Sequence, residues 1–347
     1  MSALAARGVS AARSIVAGVL LAMATVSPAL AGAQRAASRA RGAPRLIVVS
    51  NERSHDLTVI DGTTLQPVET VPVGARARGV RVDSGHRHVL VALSDDRPQT
   101  PGPADAIADV DLATRRVVRR IAAGTDPEQF AITPDGRRMV AANEDAGNAS
   151  IIDVKSGKVV ATLVVGTEPE GVTVSPDGRW VYVTGETSNT ISVIDMRKEK
   201  VVTTFLVDPR PRSVAFAPDG RLAYATSEVG GSVARIDARA HRVLERARIG
   251  TGEEKPVGIA VSPDGRRLYV ALGAGHALVQ LDARTLRELA RVPVGRRPWG
   301  VALSPDGRFA YTANGLTDDM SVVDVGAMKV VRTVKVGTRP WGVAIVP

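Results

Sequence analysis

The sequence predicts an all-β fold: a seven-bladed β-propeller of four-stranded antiparallel blades, its ring closed by N- and C-terminal strands that share one blade. Three observations carry that expectation. A hydrophobic-Asp pair recurs seven times, at Asp61, Asp111, Asp153, Asp195, Asp237, Asp282 and Asp324, with spacings of 50, 42, 42, 42, 45 and 42. A second landmark, usually Val-Gly, repeats at Gly74, Gly124, Gly166, Asp208, Gly250, Gly295 and Gly337 with the same spacings. The third observation is that the repeat begins and ends in mid-unit. Self-similarity at a period near 42 marks supersecondary units that bury their faces against one another.

Residues 171–207 show one unit in full. Gly171 to Ser175, Trp180 to Thr184, Ile191 to Asp195 and Lys200 to Val207 are short runs rich in β-branched residues and bounded by turn formers. Pro176-Asp177-Gly178 joins the first two. Proline presets φ, aspartate caps the turn, and glycine takes the left-handed conformation. The same tripeptide stands at 134–136, 218–220, 263–265 and 305–307, and degenerates to Asp83-Ser84-Gly85 in the first full unit. The aspartate that ends each third strand is in every unit and is expected to bond the backbone of the turn after it. Four-stranded units of this length, with no helical periodicity between them, indicate a propeller. A linear solenoid is the competing arrangement.

The ends discriminate between the two. Arg45 to Val49 reads as a second strand, and Trp341 to Pro347 as a first strand that stops where each Pro-Asp-Gly would begin. In a solenoid both would be raw sheet edges, whereas in a ring they pair and the edge disappears. Two departures from the period read as loops. Eight extra residues fall in the 94–106 stretch, and three around Thr251 to Lys255.

Residues 1–31 read as a Sec-type signal peptide. Arg7 and Arg13 precede an uncharged run from Ser14 to Val26, and Ala29-Leu30-Ala31 is an A-x-A cleavage site. The apolar run is short for a bilayer span, so a periplasmic or secreted protein with no transmembrane segment after cleavage is expected. Residues 32–44 form a flexible Ala/Arg/Gly-rich leader, and residues 45–347 the propeller. The formal charge of +9 falls to +7 without Arg7 and Arg13, and to +3 without Arg35, Arg39, Arg41 and Arg45. So small an excess over some 300 residues is no nucleic-acid footprint. The absence of cysteine excludes disulfides, thiolate metal sites, a cysteine nucleophile and thioether haem attachment.

No nucleophile elbow, zincin, Walker or EF-hand signature is present. His55, His86, His88, His241 and His276 share no repeat position; His86 and His88 have the spacing of a same-face pair, but surface histidines are the simpler reading. Repetition supplies a better filter. A residue present in every unit serves the blade, whereas a position equivalent in every unit but chemically variable can carry a site around the channel. One such position precedes the residue, mostly glycine, that opens each first strand, and reads Arg78, Glu128, Glu170, Arg212, Val257, Trp299, Trp341. A second follows each second strand and reads Glu52, Leu93, Glu144, Glu186, Glu228, Gly273, Gly315. Both connections open on one end of a propeller. A polar half-rim beside an aromatic half-rim is the make-up of a small-molecule or peptide pocket. The competing reading makes Pro-Trp-Gly a packing consensus and the glutamates solvated ion-pair partners. Four carboxylates on one arc also suggest a calcium site, but such sites normally draw on more Asp, Asn and backbone ligands, and neither metal nor cofactor is expected.

Tyr182-Val183-Thr184-Gly185 and Tyr311-Thr312-Ala313-Asn314 resemble the YVTN class of β-propeller repeats over residues 45–347. A narrower likeness runs in order through Ser50-Asn51-Glu52, Asp126-Pro127-Glu128, Ala142-Asn143-Glu144-Asp145 and Glu168-Pro169-Glu170-Gly171. It continues through Arg210-Pro211-Arg212, Ser227-Glu228-Val229-Gly230-Gly231, Pro256-Val257-Gly258, Ala271-Leu272-Gly273 and Pro340-Trp341-Gly342. Together these are similar to periplasmic propellers associated with pyrroloquinoline-quinone-dependent alcohol catabolism. The resemblance implies a secreted accessory to a quinoprotein dehydrogenase or its transport component and supplies no catalytic residue; a non-enzymatic binding or scaffold role at the channel rim is the expected function. The 94–106 stretch and the Arg-rich leader depart from that pattern. Two alternatives stand beside it. One is a lactonase-like hydrolase, with Glu128 or Glu170 as base and Arg78 or Arg212 stabilising the oxyanion. The other is a structural module of the cell envelope.

Overall fold

The structure, a computed structural model, describes residues 43–95, 102 and 104–347. The expected signal peptide, most of the expected leader and the middle of the 94–106 stretch lie outside the described residues. Among the described residues there are twenty-eight strands in seven four-stranded sheets and no helix. Blades are numbered from the one that pairs Leu46–Asn51 with Pro340–Val346.

Blade 1 joins Pro340–Val346 to Leu46–Asn51, Asp56–Asp61 and Pro67–Pro72 in that spatial order. The pairing runs from Leu46 opposite Val346 to Asn51 opposite Pro340, and Arg45 N donates to the Val346 carbonyl at 2.8 Å. The seam expected from the two incomplete units is therefore a regular antiparallel ladder. The other six blades each use four consecutive strands, the innermost being Arg76–Val82, Pro127–Ile132, Pro169–Val174, Pro211–Phe216, Pro256–Val261 and Pro298–Leu303.

Burial follows the radial position of each strand. Second and third strands are covered on both faces by neighbouring blades, so Trp180–Gly185 and Thr190–Asp195 are buried almost throughout. Outermost strands such as Lys200–Leu206 alternate exposed and half-buried residues, as a sheet edge with one wet face must. All four tyrosines lie between blades, and Tyr182 finds a partner for its hydroxyl in His241 Nδ1 at 2.8 Å.

The repeated polar residues are structural. Every strand-ending aspartate accepts backbone N–H groups of the turn that follows it: Asp61 from Thr63 and Thr64, Asp195 from Arg197, Asp324 from Gly326 and Ala327, and likewise in the remaining four units. Asn51, Asn143 and Asn314 each bridge from the second strand to two side chains of the third, at 2.7 and 2.9 Å. The turn glycines Gly136, Gly178, Gly220, Gly265 and Gly307 have φ between 67° and 72°. In the degenerate turn the positive φ falls on His86 rather than on Gly85, and Asp83 Oδ1 gathers the N–H groups of Arg87 and His88.

Candidate functional site

Each innermost strand starts at the same end of the channel and carries an irregularity there. In blade 4, Pro169 pairs with Gly185 and Val172 with Val183, so three steps on the inner strand match two on its partner. The extra residue falls within Glu170-Gly171. The same register shift occurs at the rim position of all seven blades. A bulge bends its strand and re-aims a side chain, and here it does so for each rim residue.

The glycine after the rim residue has a steric cause. A Cβ on Gly300 would lie 2.7 Å from the Trp341 carbonyl oxygen, and one on Gly79 would lie 2.8 Å from that of Glu128. Successive inner strands thus approach backbone to backbone at the rim. Gly315 serves the rim itself, because a Cβ there would meet the Trp299 ring at 2.9 Å.

The structure brings the sequence-selected residues together at one end, in two ion-pair clusters and an aromatic pair. In the first cluster Arg78 bonds Glu128, lies 3.4 Å from Glu52 and 3.7 Å from Glu144, and Arg76 reaches Glu52 at 3.2 Å. In the second, Arg212 bonds Glu170 and Glu186 and reaches Glu228 at 2.6 Å. Arg210 adds contacts to Glu186 at 2.5 Å and Glu228 at 3.5 Å, and Arg297 reaches Glu228 at 3.1 Å. Trp299 and Trp341 stack with centroids 6.3 Å apart and planes 17° apart. The aromatic and charged parts are continuous, since the Arg297 and Arg212 guanidiniums lie 4.4 and 5.3 Å from the Trp299 ring centre. Of the remaining ring positions, Leu93, Val257 and the two glycines contribute no charge.

These are not solvated surface pairs. Glu128, Glu170, Glu228 and Arg212 are 2, 4, 3 and 9% exposed. Burial and the adjacent Glu186 push the Glu170 carboxyl up to about 8, against the pull of Arg212. Glu228 is also penalised by burial, but Arg212, Arg297 and Arg210 outweigh it and hold its pKa below the ordinary value. Arg212, desolvated yet ringed by Glu170, Glu228 and Glu186, is held above the ordinary arginine value. Burial also raises Asp126 to about 6, reinforced by Glu144 and opposed by Arg76.

Below the rim lies a channel cavity of about 340 Å³. Its walls run from Glu170, Trp299 and Trp341 at the mouth to Val82, Ile132 and Val174 further down. The strand ends that flank both loop insertions lie at the mouth end. The feet of the 94–106 stretch are tied by Asp105 accepting from Asp95 N and Gly102 N at 3.0 Å, and Arg291 holds Glu254 of the shorter insertion at 2.7 Å.

Asp126, Glu128 and Glu144 place carboxylate oxygens within 4.8 Å of one another. Arg78 already bonds Glu128 and neighbours Glu144, so a cation there would compete with a guanidinium. His88 Nδ1 bonds Asp109 at 2.7 Å, while His86 sits in the preceding turn, and the two form no joint ligand set.

Arg76, Asp126, Arg210 and Arg297 belong to the site but were not selected by repeat phase. They lie in or just after the turn that enters each inner strand, each two residues before the rim position. The signal that would have found them is an excess of charge at that turn, with Asp126, Arg210 and Arg297 each held at or next to a left-handed residue before proline.

A family model described as a seven-bladed β-propeller lactonase matches residues 209–338, and one described as a YNCE-like β-propeller matches residues 69–176. Each covers well under half of the chain. No curated protein sequence matches. Among solved structures, hydrazine synthase from Kuenenia stuttgartiensis is 22% identical with a TM-score of 0.73, over 81% of this chain and 92% of that one. Dihydro-heme d1 dehydrogenase NirN in complex with DHE is 18% identical with a TM-score of 0.66, over 87% and 75%. A functionally unknown protein from Desulfotomaculum acetoxidans is 18% identical with a TM-score of 0.73, over 87% and 98%. At these identities the likeness is one of fold.

Proposed function

We propose that this chain is an exported, non-enzymatic binding propeller that receives a small ligand or a peptide of a partner protein at the channel mouth. The observation that carries the reading is the buried Glu170–Arg212–Glu186–Glu228 cluster in contact with the stacked Trp299–Trp341 pair. Burying a guanidinium among three carboxyl groups is costly, and a buried ion-pair cluster is weak evidence for stability. Its retention beside two aromatic anchors supports a recognition role, since such groupings concentrate at functional sites. The ordered motif likeness supports an accessory role in pyrroloquinoline-quinone-dependent alcohol oxidation, with a quinoprotein dehydrogenase or associated transport component as partner.

Lactone hydrolysis is the competing reading, favoured by the family match over residues 209–338. Its candidate bases, Glu128 and Glu170, are each engaged by a guanidinium, which leaves the binding reading the stronger of the two. The test is capture from a periplasmic extract by the immobilised protein, run beside Glu170→Gln and Trp341→Ala. Binding is expected to be saturable and weakened in both variants. Equal capture by all three proteins would defeat the binding reading, and saturable lactone turnover abolished by Glu170→Gln would replace it with the enzymatic one.

A further inference from the structure

The third residue after each rim position forms another ring, and its composition is almost uniform. It reads Arg81, Ala131, Thr173, Ala215, Ala260, Ala302, Ala344. Small side chains belong where seven inner strands converge on an open channel, and one blade breaks the rule with the longest cationic side chain available. At about 3.3 Å per residue, Arg81 enters the wall about 10 Å below the rim. It lines the same cavity as Glu170, Trp299 and Trp341.

The guanidinium is held but not neutralised. Arg81 Nη1 donates to the Val80 carbonyl at 2.9 Å, and Nη2 donates to Gln129 Oε1 at 3.1 Å. Gln129 is itself an outlier, standing where five blades have glycine and one has serine. Among the described residues no carboxylate bonds Arg81, in contrast to Arg78 and Arg212, which bond three each. Five N–H donors are available on a guanidinium, and two of them bond described residues. Burial without a compensating anion pulls the Arg81 pKa below the ordinary value, which is the signature of a cation that an incoming anion would stabilise.

We infer that Arg81, steadied by Gln129, is the anchor for the carboxylate of a small organic acid whose apolar body lies along the channel toward Trp299 and Trp341. The planar fork of arginine matches a carboxylate in two parallel hydrogen bonds. The Val-, Ala- and Gly-lined wall between anchor and indoles suits an unbranched or aromatic body. Glu170, the one acidic side chain among the described residues in the wall of this cavity, is bonded to Arg212 and favours its protonated form, so it opposes an anionic ligand little. This inference deepens the binding role proposed above and rests on it.

The test compares 3-phenylpropanoate with 3-phenylpropanamide, which differ only in the group offered to Arg81. Affinities are measured by ligand-observed NMR for wild type, Arg81→Gln, Arg81→Lys and Trp341→Ala. Wild type should favour the acid at least tenfold, Arg81→Gln should abolish that preference, Arg81→Lys should keep part of it, and Trp341→Ala should weaken both probes alike. Equal binding of acid and amide to wild type, or binding of neither, overturns the inference without recourse to any variant. If both bind equally and Trp341→Ala still weakens them, the mouth remains a binding site and only the Arg81 assignment falls. If the acid preference depends on Arg81 but is untouched by Trp341→Ala, the anchor stands and the aromatic mouth does not take part.

Discussion

Deleting residues 341–347 should open the ring, and the loss can be worked from the structure. The deletion removes nearly all of the innermost strand of blade 1. Trp341, Val343 and Val346 are 9, 8 and 0% exposed, and burying a side chain of this size contributes about 1.5–3 kcal/mol. The three together give roughly 5–9 kcal/mol, which falls to roughly 4–7 once residual burial in the unfolded chain is allowed for. The deletion also uncovers Ile47, Val48 and Val49, all fully buried, and leaves an unpaired edge on Leu46–Asn51. Against a total stability of about 5–15 kcal/mol, little or none remains. Thermal unfolding with size-exclusion chromatography is the assay, and Trp341→Ala, which keeps the backbone ladder, is the control. The truncated protein should melt at much lower temperature or aggregate, while the control elutes as a monomer. A truncated protein with the wild-type melting temperature and a monomeric elution volume would show that the blade is not closed by its C-terminal strand.

Three further outcomes are expected. Glu170→Gln should flatten the pH dependence of stability. The folded-state pKa of Glu170 is raised from 4.5 to about 8, so the stability its protonated form lends is complete below about pH 4.5 and is lost as pH rises through about 8. Glutamine stays neutral, and the variant's melting temperature should fall less than that of wild type over this window; parallel curves would contradict the assignment. Gly300→Ala should cost about 1–3 kcal/mol by chemical denaturation, because its Cβ would sit 2.7 Å from the Trp341 carbonyl, and an unchanged midpoint would show that the blades do not meet so closely. N-terminal sequencing of the exported protein should begin at Gly32, and an intact Met1 in that fraction would rule out cleavage.

Much of this molecule is written in its repeat. Blade number, the turn-capping role of the strand-ending aspartates, and the shared blade of the two ends follow from period and phase, because each is a local pattern copied seven times. Arg78, Glu128, Glu170, Arg212, Trp299 and Trp341 were selectable by the same logic, since symmetry puts equivalent positions at one radius. The bulge that aims them was not legible, because a register shift depends on pairing between strands and leaves no fixed residue type. Nor was the reach of Arg210 and Arg297 to Glu186 and Glu228, which crosses blade boundaries with long side chains. The solvated ion-pair reading failed for a related reason, since depth within a channel mouth is set by how inner strands converge. Arg81 differs again: it is legible in the sequence as the lone charge in a ring of alanines and one threonine, three residues below the rim.

The most direct measurement of the central claim uses the protein's own tryptophans. Trp180 lies at the far end of its strand from the mouth, under Arg179 and beside His241, so Trp180→Phe leaves Trp299 and Trp341 as the only tryptophans to be excited selectively over the tyrosines. Fractions of a periplasmic extract titrated into this variant should include at least one that shifts or quenches the emission saturably, and adding Trp341→Ala should remove the response. Emission unchanged by every fraction, or a response that survives Trp341→Ala in full, would contradict a binding site at the channel mouth.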